Sequence, residues 1–275
     1  MKDCREEWYD EEAKVAVTIV DVTGAAQELA RGHLTGPTAG HYLAEALAAV
    51  ALLGTETSEK DETVALQMKC KGPLGDCNVE CTAEGTLRGY TEKKVLDDFD
   101  GMGRPDDRKV LGERQIQVTR SVPGRILSQG ISTSLDGYLA GSLQRKACIR
   151  VEASVSDEVE VLEARGILVE DMPDSRFGTP GSDGNVQPDD PLLALLDPKH
   201  PVKLAVASRN ILSQLGLEKA ELRRTTPLKF ACRCSPERAQ AMLAALSEEE
   251  RKALPPVVDI TCHMCGRTFS VRSAV

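Results

Sequence analysis

Four of the nine cysteines stand in two close pairs near the C-terminus: Cys232-Arg233-Cys234 and, 27 residues later, Cys262-His263-Met264-Cys265-Gly266. Two cysteine pairs separated by enough chain for a helix and a hairpin are what a tetrahedral Cys₄ zinc site needs. In the second pair, glycine permits the tight turn that aims both sulfurs inward. The first pair is the rarer arrangement. Thiolates one residue apart can bind one metal, and they can also close on each other as a small, strained disulfide that is comparatively easy to reduce. His263 lies inside the second pair, but four sulfurs already fill a tetrahedron. His33, His41 and His200 have no acid or nucleophile at a recognisable spacing. No catalytic constellation is legible, and the chain reads as a protein that is not an enzyme.

A cysteine module needs a body to act on. The 275 residues, 41% hydrophobic and 28% charged, are enough for one main domain and a small appendage. Aromatics are only 3% of the chain, so the core must be packed from Ala, Val, Leu and Ile. A net charge of −9 argues against a general nucleic-acid binder. Residues 228–275 alone carry seven Lys/Arg against five Asp/Glu, too small an excess to track phosphates. The acidic start, Met1-Lys2-Asp3-Cys4-Arg5-Glu6-Glu7, does not read as a secretory signal, and no apolar run is long enough to span a bilayer. Cysteine-rich chains of that kind belong in a reducing compartment, so a cytoplasmic protein without a membrane partner is expected.

The body reads as α+β, a β-rich N-terminal core with helices. Residues 15–22 are β-branched and form a mostly buried strand, which Thr23-Gly24 breaks. Ala39, Tyr42, Leu43, Ala46, Leu47, Val50 and Leu53 recur at helical spacing and predict a core helix ending at Gly54. Val64, Leu66, Met68 and Cys70 alternate with polar residues, as do Cys77, Val79, Cys81 and Ala83 after the turn Gly72-Pro73-Leu74-Gly75, giving a hairpin. Cys70, Cys77 and Cys81 fall on its apolar faces and are expected to pack as small hydrophobes and not to form a second metal site. Cys4 and Cys148 stand alone, as surface or packing thiols. The chain is loop-like from Asp97 to Arg108, and strands are expected around Ile116, from Ala147 to Val155 and around Gly166. A short helix is expected between Ser134 and Arg145.

Three segments follow from the composition. Residues 1–172 are the core domain. Residues 173–227 are a linker, rich in proline and glycine to residue 191 and then helical but broken by Pro198 and Pro201, so that its leucines need something to pack against. Residues 228–275 are the cysteine module, with Ser235 as N-cap before Pro236, a capping box of Ser247 and Glu250, and a hairpin flanking the second cysteine pair. A module of that size with two phenylalanines is near the limit below which a core cannot hold itself together without metal.

The Cys-x-Cys, 27-residue gap, Cys-x-x-Cys arrangement and the stretch Cys232-Arg233-Cys234-Ser235-Pro236-Glu237-Arg238 resemble the 33 kDa chaperonin family, the redox-regulated heat-shock holdases. Gly72-Pro73-Leu74-Gly75, Leu87-Arg88-Gly89-Tyr90 and, less closely, Ser142-Leu143-Gln144 are similar to motifs of that family's core domain. The resemblance implies a β-rich core, a metastable linker and a C-terminal zinc domain in which Cys232, Cys234, Cys262 and Cys265 hold one Zn²⁺ when reduced. It further implies that oxidative stress forms the disulfides Cys232–Cys234 and Cys262–Cys265 and expels the metal. Members of that family, once oxidised, tend to dimerise and hold unfolding clients without ATP, and the resemblance implies the same here. Linker helices resting on the zinc module would lose their support at that step and expose leucines. Two other readings compete: a permanently structural zinc ribbon in a protein-interaction or nucleic-acid-binding protein, and a Cys-x-x-Cys oxidoreductase. The second fits poorly, because the motif follows a strand and enters a glycine instead of opening a helix.

Overall fold

The computed structural model describes residues 3–103, 106–173, 191, 195 and 201–273. Most of the proline- and glycine-rich part of the linker, with Leu192, Leu193 and Leu196, lies outside these residues.

The helix expected from the Ala39–Leu53 periodicity is α2 (Pro37–Leu53), in which only Pro37 and Glu45 are not buried. A helix apolar on all sides must be enclosed, and α2 packs against two sheets at once. One sheet has five strands in the order β10 (Glu221–Pro227), β1 (Cys4–Asp10), β2 (Val15–Asp21), β9 (Val161–Asp171) and β8 (Ala147–Val155). The other has six, in the order β11 (Lys229–Phe230), β5 (Thr86–Thr91), β4 (Cys77–Thr82), β3 (Thr63–Cys70), β6 (Arg114–Val122) and β7 (Arg125–Ser132). All pairings are antiparallel except that of β11 with β5. Short helices α3 (Asp107–Val110) and α4 (Leu135–Ser142) lie in the connections, the latter inside the interval expected to be helical and capped by Ser134, which accepts the Gly137 N–H.

Thr23-Gly24 ends β2 but does not open a loop. Helix α1 (Thr23–His33) begins there, because the carboxylate of Asp3 accepts the Gly24 and Ala25 N–H groups at 2.9 and 2.6 Å. A cap supplied from twenty residues away leaves no local signature. The structure also moves the leucines of the linker. Val202, Leu204, Ile211, Leu212, Leu215 and Leu217, spanning α5 (Ser208–Gln214), are buried with Trp8, Val15, Val17, Ile19, Ile167 and Val169 on the outer face of the five-stranded sheet. None of the described residues of the cysteine module belongs to that cluster. The described part of the linker therefore does not meet the condition that it rest on the zinc module: residues 202–217 rest on β2 and β9, and this second cover is why β2 is apolar on both faces. Arg165 fastens it, donating from Nη1 to the Leu204 and Val206 carbonyls at 2.7 and 3.2 Å. Glu221–Pro227, inside the interval read as linker, is the edge strand β10, bonded to β1.

The turn before β3 is held by one buried carboxylate. Glu62 has no exposed side chain; it accepts from Arg120 Nε at 2.6 Å and from the Ser58 and Glu59 N–H groups at 2.8 and 3.1 Å. Removing one member of such a set strands the other charge. Glu62→Ala is expected to cost about 3 kcal/mol in a denaturant titration, with the linker cluster on the opposite sheet unaffected.

Candidate metal centre

The module begins where β11 ends. Cys232 and Cys234 follow it, and Ser235 then caps α6 (Pro236–Ala244) by accepting the Arg238 N–H, with Pro236 at the first helical position. A capping box of Ser247 and Glu250 starts α7 (Glu248–Lys252). Strands β12 (Val257–Thr261) and β13 (Thr268–Arg272) form the hairpin, and Cys262 and Cys265 stand in its turn. There the Cys265 and Gly266 N–H groups both bond the Cys262 carbonyl, at 3.3 and 2.9 Å, and Gly266 takes the left-handed conformation at φ +72°. Among the described residues, only Ala239, Leu243 and Val271 are buried in the module's own core, with Leu254, Val258, Ile260 and Phe269 partly covered around them.

The two pairs converge. All four Sγ atoms lie within 4.8 Å of one another, with Cys232 to Cys262 at 3.8 Å and Cys234 to Cys265 at 3.4 Å. Four sulfurs about 2.3 Å from a tetrahedral zinc are about 3.8 Å apart, so the group fits that ion, and an all-sulfur set favours zinc over hard cations. All nine cysteines are free thiols. Burial opposes ionisation of Cys232, but hydrogen bonds from Cys234, Arg88 and Cys265 outweigh it and bring this thiol down to about 7. Burial pushes Cys234 and Cys265 up; the other sulfurs add to the shift at Cys265, whereas at Cys234 the Cys265 sulfur opposes it and Cys232 and Cys262 add to it. A metal cation at the centre supplies what these sulfurs lack for shared ionisation. His263 is not among them; its ring meets Tyr90 edge to face at 5.6 Å.

The remaining thiols behave as packing groups. Cys77, Cys81 and Cys148 are buried and Cys70 is half-buried; burial pushes them up to about 12, 11, 12 and 11 respectively, far from a reactive thiolate.

Sequence reasoning missed what the centre stands on. Strand β5, Leu87-Arg88-Gly89-Tyr90, touches both cysteine pairs. On the first side Ala231 donates to the Leu87 carbonyl at 3.1 Å, and Arg88, paired with Glu80 at 2.6 Å, reaches Cys232 Sγ at 3.9 Å. On the second side Gly89 donates to the Met264 carbonyl at 3.1 Å, while His33 Nε2 meets the Gly89 carbonyl at 2.8 Å. Close approach needs glycines: a Cβ on Gly266 would lie 2.0 Å from the Gly32 oxygen, and one on Gly32 would lie 2.8 Å from the Cys265 oxygen. The family-like Arg-Gly-Tyr stretch was the one available signal. Gly266→Ala combines that clash with left-handed strain of about 1–2 kcal/mol. We expect it to weaken zinc retention against a chelator on the order of tenfold while the two large sheets keep their stability.

Residues 7–272 match the family model described as Hsp33 protein. The 33 kDa chaperonin of Thermus thermophilus is 28% identical over 92% of this chain and 79% of its own length. That of a Geobacillus species is 26% identical over 90% and 86%, and that of Bacillus subtilis 25% over 95% and 91%. The crystal structure of the 33 kDa chaperonin from Thermotoga maritima superposes with a TM-score of 0.84 at 20% identity, covering 99% of this chain and 96% of that one, which establishes the shared fold.

Proposed function

The chain belongs to the Hsp33 protein family, and from that premise we propose that it is an ATP-independent holdase whose client-binding surface is released by oxidation of its cysteine centre. The observation that carries the reading is the convergence of Cys232, Cys234, Cys262 and Cys265 on a module with almost no core of its own. One Zn²⁺ held there would neutralise the thiolates and close the module in the reducing cytoplasm.

The thiolates that suit a metal are also the oxidisable form. Each disulfide takes two electrons from a pair of thiolates; one hydrogen peroxide accepts them with two protons and leaves as two waters. Two peroxides therefore convert the centre to Cys232–Cys234 and Cys262–Cys265, and no sulfur remains to bind metal. The nearest sulfur contacts run across the pairs, from 232 to 262 and from 234 to 265. Those partners are separated by about thirty residues of chain and drift apart once the module opens, whereas sequence neighbours stay within reach; this favours the local pairing.

What reaches the linker travels along the chain. Residues 202–220 lead into β10, an exposed edge strand, and through Leu228 directly into β11 and Cys232. Opening the module frees the C-terminal anchor of β10 and with it one end of the leucine cover on β2 and β9. The exposed apolar surface would serve unfolding proteins and favour a homodimer of the oxidised form.

Peroxide treatment of the zinc-loaded protein tests the reading. We expect release of one zinc per chain, loss of four titratable thiols and a gain in suppression of client aggregation by light scattering. A permanently structural zinc ribbon predicts metal release without that gain, and such a result would sink the switch.

A further inference from the structure

Residues 202–217 of the linker cover the other sheet, so the cysteine module hides something else, and the hydrogen bonds say what. Strand β11 is only two residues long, yet it completes the six-stranded sheet by lying parallel to β5, with Lys229 opposite Thr86 and Phe230 opposite Leu87. Lys229 donates to the Gly85 carbonyl at 3.0 Å and Ala231 to the Leu87 carbonyl at 3.1 Å; further along, Gly89 donates to the Met264 carbonyl. Every one of these partners belongs to the module. Side chains repeat the pattern. Leu228 is buried in the main core cluster, Phe230 packs against that cluster, and Lys229 between them is exposed. The furrow they fill has β5 on one side and α1 on the other, and Leu87 within it is fully buried.

We propose that the edge of β5, with the furrow beside α1, is a strand-addition site for unfolding polypeptides, in which Leu228–Ala231 of this chain is the resident occupant. The inference rests on the switch proposed above and names a second surface that the switch uncovers, separate from the leucine cover on β2 and β9. An open sheet edge offers unpaired N–H and C=O groups to any extended chain, so its main-chain bonds are indifferent to sequence, as a holdase requires. The resident strand also states the preference of the furrow: apolar side chains at positions i and i+2, any residue between, running parallel to β5. Competition is decided by length. The resident uses two residues and is held in place by the cysteines that follow it, whereas a client strand can continue along β5 to the Gly89 N–H once Met264 has left it. The module is then both sensor and plug.

The test uses a fluorescein-labelled peptide copying residues 226–231, Thr-Pro-Leu-Lys-Phe-Ala, and a control with serine in place of its leucine and phenylalanine. Binding is measured by anisotropy to the full-length protein, reduced with zinc and oxidised without it, alongside amide exchange at Leu87 and Gly89. The expected result is peptide binding on the order of tenfold tighter to the oxidised form, none of it shared by the control, with the Gly89 amide exposed by oxidation and protected again by the peptide. A protein that releases zinc and suppresses aggregation while its Gly89 amide stays slow, or is left unprotected by the peptide, overturns the strand site and leaves the switch standing. Absence of zinc release or of suppression would instead defeat the switch. The strand site is then decided by Phe230→Ser in the reduced, zinc-loaded protein, which should admit the peptide by weakening the occupant; peptide binding unchanged from the parent protein overturns it.

Discussion

Stripping the metal from the reduced protein with a chelator is expected to unfold residues 228–273, β11 included, and to leave the other strands of both large sheets intact. Among the described residues the module's own core buries three apolar side chains, and its hairpin strands β12 and β13 are exposed or half-covered everywhere but at Val271. A two-stranded hairpin with so little core is not independently stable. Metal binding in structural sites of this kind contributes about 10–16 kcal/mol at neutral pH, far more than any other interaction in the module. The core has no such dependence, because α2 and the facing sheets supply a continuous buried cluster from Val20 to Val118. Amide exchange should therefore become unprotected in β12 and β13 on zinc removal and stay slow in β2, β3 and β9. Cys265→Ser, which removes the buried sulfur of the four, should give the same pattern without a chelator. Retained protection in β12 and β13 would mean that the docking on β5 and α1 suffices to hold the fold.

The second large effect is expected from Leu212→Ala. Leu212 is fully buried against the outer face of the five-stranded sheet, in a segment whose one helix has seven residues. Truncating a buried leucine costs about 2–5 kcal/mol. A helix so short contributes little by itself, so that loss falls directly on the docking equilibrium of residues 201–220. The expected outcome is a reduced, zinc-loaded protein whose linker is cut readily by protease and which suppresses client aggregation without oxidant. Zinc content should remain one per chain, since the centre belongs to a different cluster. If the linker becomes cleavable and suppression does not rise, the leucine cover is not the client surface, and the β5 edge remains as the place where clients bind.

The elements that read correctly have a period that local sequence imposes. Val64, Leu66 and Met68 alternate because β3 has one face on α2, and Ala39–Leu53 repeats at helical spacing because α2 is enclosed. Elements made by distant partners were not legible. Helix α1 depends on Asp3 for its cap, and its small residues fit between β5 and β9 without marking a stripe. Strand β10, Glu-Leu-Arg-Arg-Thr-Thr-Pro, is exposed at nearly every position and exists because β1 offers it an edge.

The chemistry of the centre was determined by the sequence alone. Ligand type and the closeness of each cysteine pair are local properties, and Gly266 and Pro236 shape the turns around them. Tertiary structure alone decided what that chemistry is connected to. It placed β5 under both cysteine pairs, put Arg88 beside Cys232, and laid the described leucines of the linker on β2 and β9 and not on the module. Those contacts join residues tens to more than a hundred positions apart, and apolar burial is indifferent to which apolar surface is covered. A leucine-rich segment announces that it must be buried; only the packed molecule says against what.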